Sequence, residues 1–121
     1  MSAWVWAGVA LLGGTGALAR FLLDAAITQR HGRGFPLGTL AVNASGALAL
    51  GLLTGLAATG DTLVLAGTAT LGSYTTFSTW MLETHRLAED GALTRAALNV
   101  AISLGVGVGA VLLGRAIGMR A

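Results

Sequence analysis

At 121 residues the chain has room for one domain. Hydrophobic residues make up 55% and charged residues 10%, against about 25% charged in a typical soluble domain, which excludes a water-facing surface and makes a bilayer the expected solvent. A net charge of +2 without lysine argues against nucleic acid, and the lack of cysteine removes disulfides, thiolate chemistry and zinc ribbons.

Four hydrophobic spans follow in chain order, at about residues 3–23, 35–58, 62–82 and 93–117. Each reaches the ~20 residues that cross ~30 Å of hydrocarbon. The expectation is an all-α membrane protein, a single four-helix transmembrane domain over 1–121. The first span is broken by Gly13, Gly14 and Gly16 and closes on Arg20. It lacks a basic n-region and an Ala-x-Ala site before Arg20, so it reads as a spanning helix rather than a signal peptide. The second span starts at Pro36, which suits a first helical turn. Charges collect between spans: Asp24, Arg30, His31 and Arg33 in the first connection, and Glu83, His85, Arg86, Glu89 and Asp90 in the third. Ordinary solvation at span ends accounts for Asp24 and Glu83, and both histidines read as solvated. Connections this short force an antiparallel bundle.

The third span carries the chemistry. From Gly67 to Leu82 it has no charge, yet Ser73 to Thr79 is almost all hydroxyl and aromatic. Lipid offers no partner for a hydroxyl or an unpaired backbone group. One reading is a helix that breaks where protein or water covers it, leaving carbonyls to face an ion. The other is a Ser/Thr-rich helix interface held by interhelical hydrogen bonds. Small-xxx-small pairs at Gly51/Gly55, Gly105/Gly109 and Gly114/Gly118 read as helix packing, within or between subunits. Four short helices enclose little interior, so a pathway is expected between subunits of an oligomer.

Three intramembrane polar positions have two readings each. Arg20 is either an interface anchor or a positive lure at an anion vestibule. Asn43 either joins helices or offers its NH2 to an anion. Ser103, with Asn99 one turn earlier, forms a polar stripe that lines a path or packs on a neighbour. No acidic residue lies mid-span, which argues against a small proton-coupled multidrug antiporter. No Ser/His/Asp set or metal-ligand spacing is present, so nothing points to an enzyme.

The order Gly13-Gly14-Thr-Gly16-Ala17-x-x-Arg20, then Gly38-Thr39-x-x-Val42-Asn43-x-x-Gly46, then Gly72-x-x-Thr75-Thr76-Phe77-Ser78-Thr79-Trp80 resembles the Fluc/CrcB fluoride channels. The resemblance runs through all four spans. It implies a fluoride-selective channel in the plasma membrane that lets fluoride leave the cytoplasm passively. It implies subunits paired antiparallel as an inverted-topology dimer, with two anion paths along the interface. It implies a structural sodium ion (Na+) at the dimer centre, held by the backbone carbonyls of Gly72 and Thr75 at a break spanning Gly72 to Thr75. The path it implies uses Asn43, Thr39, Phe77, Trp80 and Ser103, with Arg20 near the vestibule.

The chain departs from that pattern at Trp80, where phenylalanine is usual. The indole either substitutes, with an added N–H donor, or plugs a path. Asn99 stands where tyrosine is common, and Gly107 where a second hydroxyl is usual. Arg30, Arg33, Arg86 and Arg95 lie towards the first and third connections, and Arg115 and Arg120 towards the other side. That mild bias favours the first and third connections in the cytoplasm. A homodimer and a heterodimer with a homologous subunit, in which this chain does not conduct, both remain open.

Overall fold

The computed structural model describes residues 1–121, and it is helical with no strand. Helix α1 is Ala3–His31 and α2 is Leu37–Gly55. Helix α3 is built from three abutting stretches, Gly60–Thr62, Leu63–Leu71 and Gly72–Tyr74. Helix α4 is Ser78–Glu89 and α5 is Leu93–Arg120. Three of these, α1, α2 and α5, are long and apolar enough to cross a membrane.

The first span is not broken. Ser2 starts α1 by accepting the Val5 N–H on its Oγ at 3.3 Å, and the helix runs 29 residues to a left-handed Gly32 at φ 75°. Its glycines are contact points instead. A Cβ on Gly16 would meet the Thr70 carbonyl, and one on Gly13 would lie 3.3 Å from the Ser73 hydroxyl. Their absence lets α1 lie directly on α3. Contacts between Gly8 and Leu65, and between Gly16 and Thr70, show that the two helices run parallel.

Helices α2 and α5 meet through a reciprocal glycine seam. A Cβ on Gly51 would lie 2.9 Å from the Arg115 nitrogen, and one on Gly114 2.9 Å from the Leu52 nitrogen. Gly55 and Gly118 extend the seam one turn further. Two of the three small-residue pairs therefore pack inside the subunit. Around Gly105 and Gly109 nothing lies within 4 Å, so that pair packs on nothing within the subunit. We predict that Gly114→Leu lowers the unfolding midpoint in detergent, at a cost of roughly 1–3 kcal/mol from overpacking. Gly14→Ala, which meets nothing within 4 Å and improves helix propensity, should hold or raise the midpoint. Equal midpoints for both variants would show that the seam does not set the packing.

The third span departs from a single helix in two places. From Leu63 to Leu71 the turns are wide: Thr70 Oγ1 donates to the Leu65 carbonyl at 2.7 Å, and the Gly72 N–H reaches back to Gly67. The Gly72 bond runs backbone to backbone over five residues, the spacing of a π-turn, and the Thr70 hydroxyl bridges the same interval from its side chain. The chain then leaves the helix at Thr75, where ψ swings to 158°, and re-enters it at Ser78. The break thus occupies Thr75 to Phe77 rather than Gly72 to Thr75. Gly72 keeps helical angles, because the Thr75 N–H still closes the last turn onto Leu71 at 3.0 Å.

Only 14 of the 121 residues are buried, and the apolar ones are Val5, Val42, Ala69 and Ala96. No water-soluble fold survives on so small a core, so lipid or a partner must cover the outer leucines, valines and phenylalanines.

Candidate functional site

The site is organised by the break. A helix that opens mid-chain leaves backbone groups without their ladder, and in a bilayer each must find another partner. Asn43 on α2 supplies it. Its Nδ2 donates to the Thr76 carbonyl at 2.8 Å, and its Oδ1 accepts the Thr76 N–H at 2.8 Å. One amide side chain thus replaces both lost ladder bonds of Thr76. Gly46, one turn on, makes room for the bracket, since a Cβ there would collide with the Thr75 methyl.

Thr76 then starts α4. Its Oγ1 accepts the Thr79 N–H at 3.2 Å, as a helix-capping hydroxyl does. Thr75 turns its own hydroxyl back to the Leu71 carbonyl at 3.0 Å. The amide that would close a turn onto the Gly72 carbonyl belongs to Thr76 and is held by Asn43. Gly72 is exposed on the subunit surface. The Thr75 carbonyl faces Arg20, whose Nη1 donates to it at 3.4 Å.

Two adjoining cavities lie along one face. The first, about 380 Å³, is bordered by Asn43, Gly72, Thr75, Thr76, Phe77 and Trp80 among others. The second, about 300 Å³, is bordered by Asn43, Trp80, Ser103, Gly107 and Val111 among others. Asn43, Trp80 and Val111 belong to both, so the two form one open groove from α3 to α5. Phe77 is 70% exposed there and meets Trp80 edge to face, with centroids 5.7 Å apart. The groove's lining is amide, hydroxyl, aromatic and aliphatic, the last from residues such as Leu50, Leu71, Leu104 and Val111, and it holds no full charge.

Of the six path residues expected from sequence, Asn43, Phe77, Trp80 and Ser103 border this groove. Thr39 and Arg20 do not. They line a separate cavity with Asp24, Val42, Thr76 and Thr79, on the other side of Thr76. Thr39 is buried, and its hydroxyl donates to the Glu83 carboxylate. Glu83 is therefore half-buried and hydrogen-bonded rather than simply solvated. The Trp80 N–H is also engaged: Nε1 donates to the Asn99 backbone carbonyl at 3.2 Å, so the groove receives the ring and not the donor.

A family model described as "CrcB-like protein, Camphor Resistance (CrcB)" matches residues 7–115. The chain belongs to the CrcB family. It is 53% identical over 111 residues to the fluoride-specific ion channel FluC 2 of Mycolicibacterium paratuberculosis, covering 92% of this chain and 91% of that one. It is 51% identical to the FluC 2 channel of Mycobacterium tuberculosis H37Rv, over 92% of this chain and 88% of the relative. It is 46% identical over 121 residues to the FluC 1 channel of Symbiobacterium thermophilum, covering 95% of this chain and 96% of the relative.

In this CrcB chain, sequence reasoning overlooked two site residues, Thr76 and Thr84. Thr76 was visible only as one hydroxyl in a run of them. Its role depends on where the break falls, and the pattern Thr76-x-x-Thr79 ahead of an amphipathic stretch was the available signal. Thr84 accepts a hydrogen bond from Asn99 Nδ2 at 2.8 Å, a pairing between helices that no local spacing announces.

Proposed function

We propose that the chain is one subunit of a fluoride-selective channel in the plasma membrane, which lets fluoride flow passively out of the cytoplasm. The groove carries this reading. It presents the Asn43 amide, the loosely held Ser103 hydroxyl and aromatic edges, whose hydrogens are weakly positive, without a cation that would hold the anion too tightly. Nδ2 of Asn43 has two hydrogens. One goes to Thr76, and the other is free for an anion in the groove. The names of the relatives support fluoride as that anion.

The same reading makes α3 and α4 together the fourth crossing. Leu53 lies 3.9 Å from the Cβ position of Gly67, and Gly46 sits against Tyr74, so α3 runs antiparallel to α2. Trp80 and Thr84 both bond Asn99, which carries α4 onward to the start of α5. The groove lies open on the subunit surface, and a second copy in inverted orientation would close it into two interface paths. Gly105 and Gly109, which have no neighbour within the subunit, would lie against that copy or lipid.

A sodium ion at the dimer centre fits the donor set in part. Gly72 is exposed and its carbonyl lacks its helical N–H, and an uncharged oxygen of this kind suits a hard cation. The Thr75 carbonyl already accepts from Arg20, so it would be shared between guanidinium and ion. Bound there, sodium would neutralise carbonyl dipoles from both breaks and join the two subunits.

The test is efflux from liposomes holding this protein alone. Fluoride should leave and chloride should stay. Equal fluxes of the two anions would refute selectivity. No flux alone, with flux restored by a co-expressed homologous subunit, would make this chain the silent partner of a heterodimer.

A further inference from the structure

Helices α4 and α5 are joined beside the groove by a closed ring of hydrogen bonds. Trp80 Nε1 donates to the Asn99 carbonyl at 3.2 Å. Asn99 Nδ2 donates to Thr84 Oγ1 at 2.8 Å. Thr84 Oγ1 donates to the Trp80 carbonyl at 2.8 Å. Asn99 is 1% exposed, one of the two most deeply buried large side chains in the subunit. Its remaining oxygen, Oδ1, faces the Ser103 hydroxyl at 3.5 Å. That last contact is at the limit of a hydrogen bond, so the Ser103 proton is only loosely held.

We infer that Asn99 is a positioning residue for the anion groove: through its grip on Thr84 it fixes the Trp80 indole as a rigid wall. This rests on the channel reading and deepens it. The two cavities that form the groove share Asn43, Trp80 and Val111, and the indole is the largest of the three side chains, so the tilt of that ring changes the width of the passage between them. An indole is larger than a phenyl ring and would obstruct the passage if it swung freely. Tying its N–H to α5 holds it edge to face with Phe77. The Asn99 side chain keeps that tie in register by gripping Thr84, one turn beyond Trp80.

A paired substitution tests this. Asn99→Leu keeps the volume and the backbone carbonyl but removes the grip on Thr84 and Ser103. It should be made in the Trp80 protein and again with Trp80→Phe, where no indole needs holding. In the Trp80 protein, fluoride efflux should fall about tenfold, the effect of roughly one lost buried hydrogen bond on a barrier. In the Trp80→Phe protein, Asn99→Leu should change efflux less than about threefold. The second readout is spectroscopic. With Trp4 and Trp6 changed to phenylalanine, Trp80 is the only indole. Asn99→Leu should then shift its emission to the red and lower its anisotropy. Equal loss of efflux in both backgrounds would reduce Asn99 to a packing residue and overturn the inference. An unchanged emission and anisotropy would also overturn it. If the parent protein passes no fluoride, the channel reading fails by itself, and the emission measurement still decides whether Asn99 holds the ring.

Discussion

Asn43→Asp is expected to lower fluoride efflux by about three orders of magnitude. A carboxylate keeps one of the two bonds to the break, because an oxygen can still accept the Thr76 N–H. The other oxygen then confronts the Thr76 carbonyl, where Nδ2 donated at 2.8 Å. On the proposed channel reading, the second Nδ2 hydrogen offered to an anion is gone, and a negative charge stands in its place. Two like charges about 4 Å apart at an effective dielectric of about 20 repel by about 4 kcal/mol, which as a barrier is close to 10³-fold in rate. The structural cost is smaller, about 1–3 kcal/mol for the unpaired carbonyl. Asn43→Leu separates the two terms. It loses both bonds to Thr76 and adds no charge, so it should be the less stable variant and yet the less severe block per folded channel. The measurements are efflux from liposomes and the unfolding midpoint of each variant. An Asp variant that folds and conducts within about threefold of the parent would leave Asn43 as a bracket for the break and nothing more.

How far the sequence could lead is visible in that residue. Asn43 was legible as a polar side chain that had to be satisfied in a span, and of its two readings the structure shows the joining one, in its two bonds to Thr76. What could not be read was its partner, because the partner is the backbone of a segment whose break had to be located first. The run of hydroxyls left a break as one of two readings, and the family resemblance placed it at Gly72 to Thr75, about three residues too early. Gly72 stays helical because Leu71 still accepts from Thr75. The decisive element is the bracket on Thr76, supplied by another helix. The same logic explains the first span. Gly13, Gly14 and Gly16 weaken a lone helix, but two of them are where α3 lies closest, so packing overrides propensity. Trp80 was legible as a departure, and its indole N–H as a donor to an anion. Asn99 takes that donor, a pairing of two departures that one chain read alone does not disclose.

If the subunits pair as proposed, Gly72→Val is expected to leave the subunit folded and to abolish both pairing and flux. Inside the subunit the substitution is permitted. Gly72 has φ −62° and ψ −35°, ordinary helical angles that valine accepts with one preferred rotamer. A Cβ there would meet only the Gly67 carbonyl, at 3.9 Å, which is normal contact. Valine is also the better helix former of the two, so the unfolding midpoint of the isolated subunit should hold or rise. The cost lies outside it. If two breaks cross back to back, each valine stands where the partner's backbone and the shared cation must come. Overpacking costs about 1–3 kcal/mol at one site, and a two-fold interface contains the substitution twice. Roughly 2–6 kcal/mol of lost association weakens dimerisation by between about 30-fold and 10⁴-fold. Mass measurement in detergent should then report monomer, and liposomes should hold fluoride. Exchanging sodium for a large organic cation should weaken the parent dimer, because a ligand bound only by the dimer stabilises it, and should change nothing in the variant. A dimeric, conducting Gly72→Val protein would place the subunit crossing elsewhere and remove the reason for a sodium ion at this break.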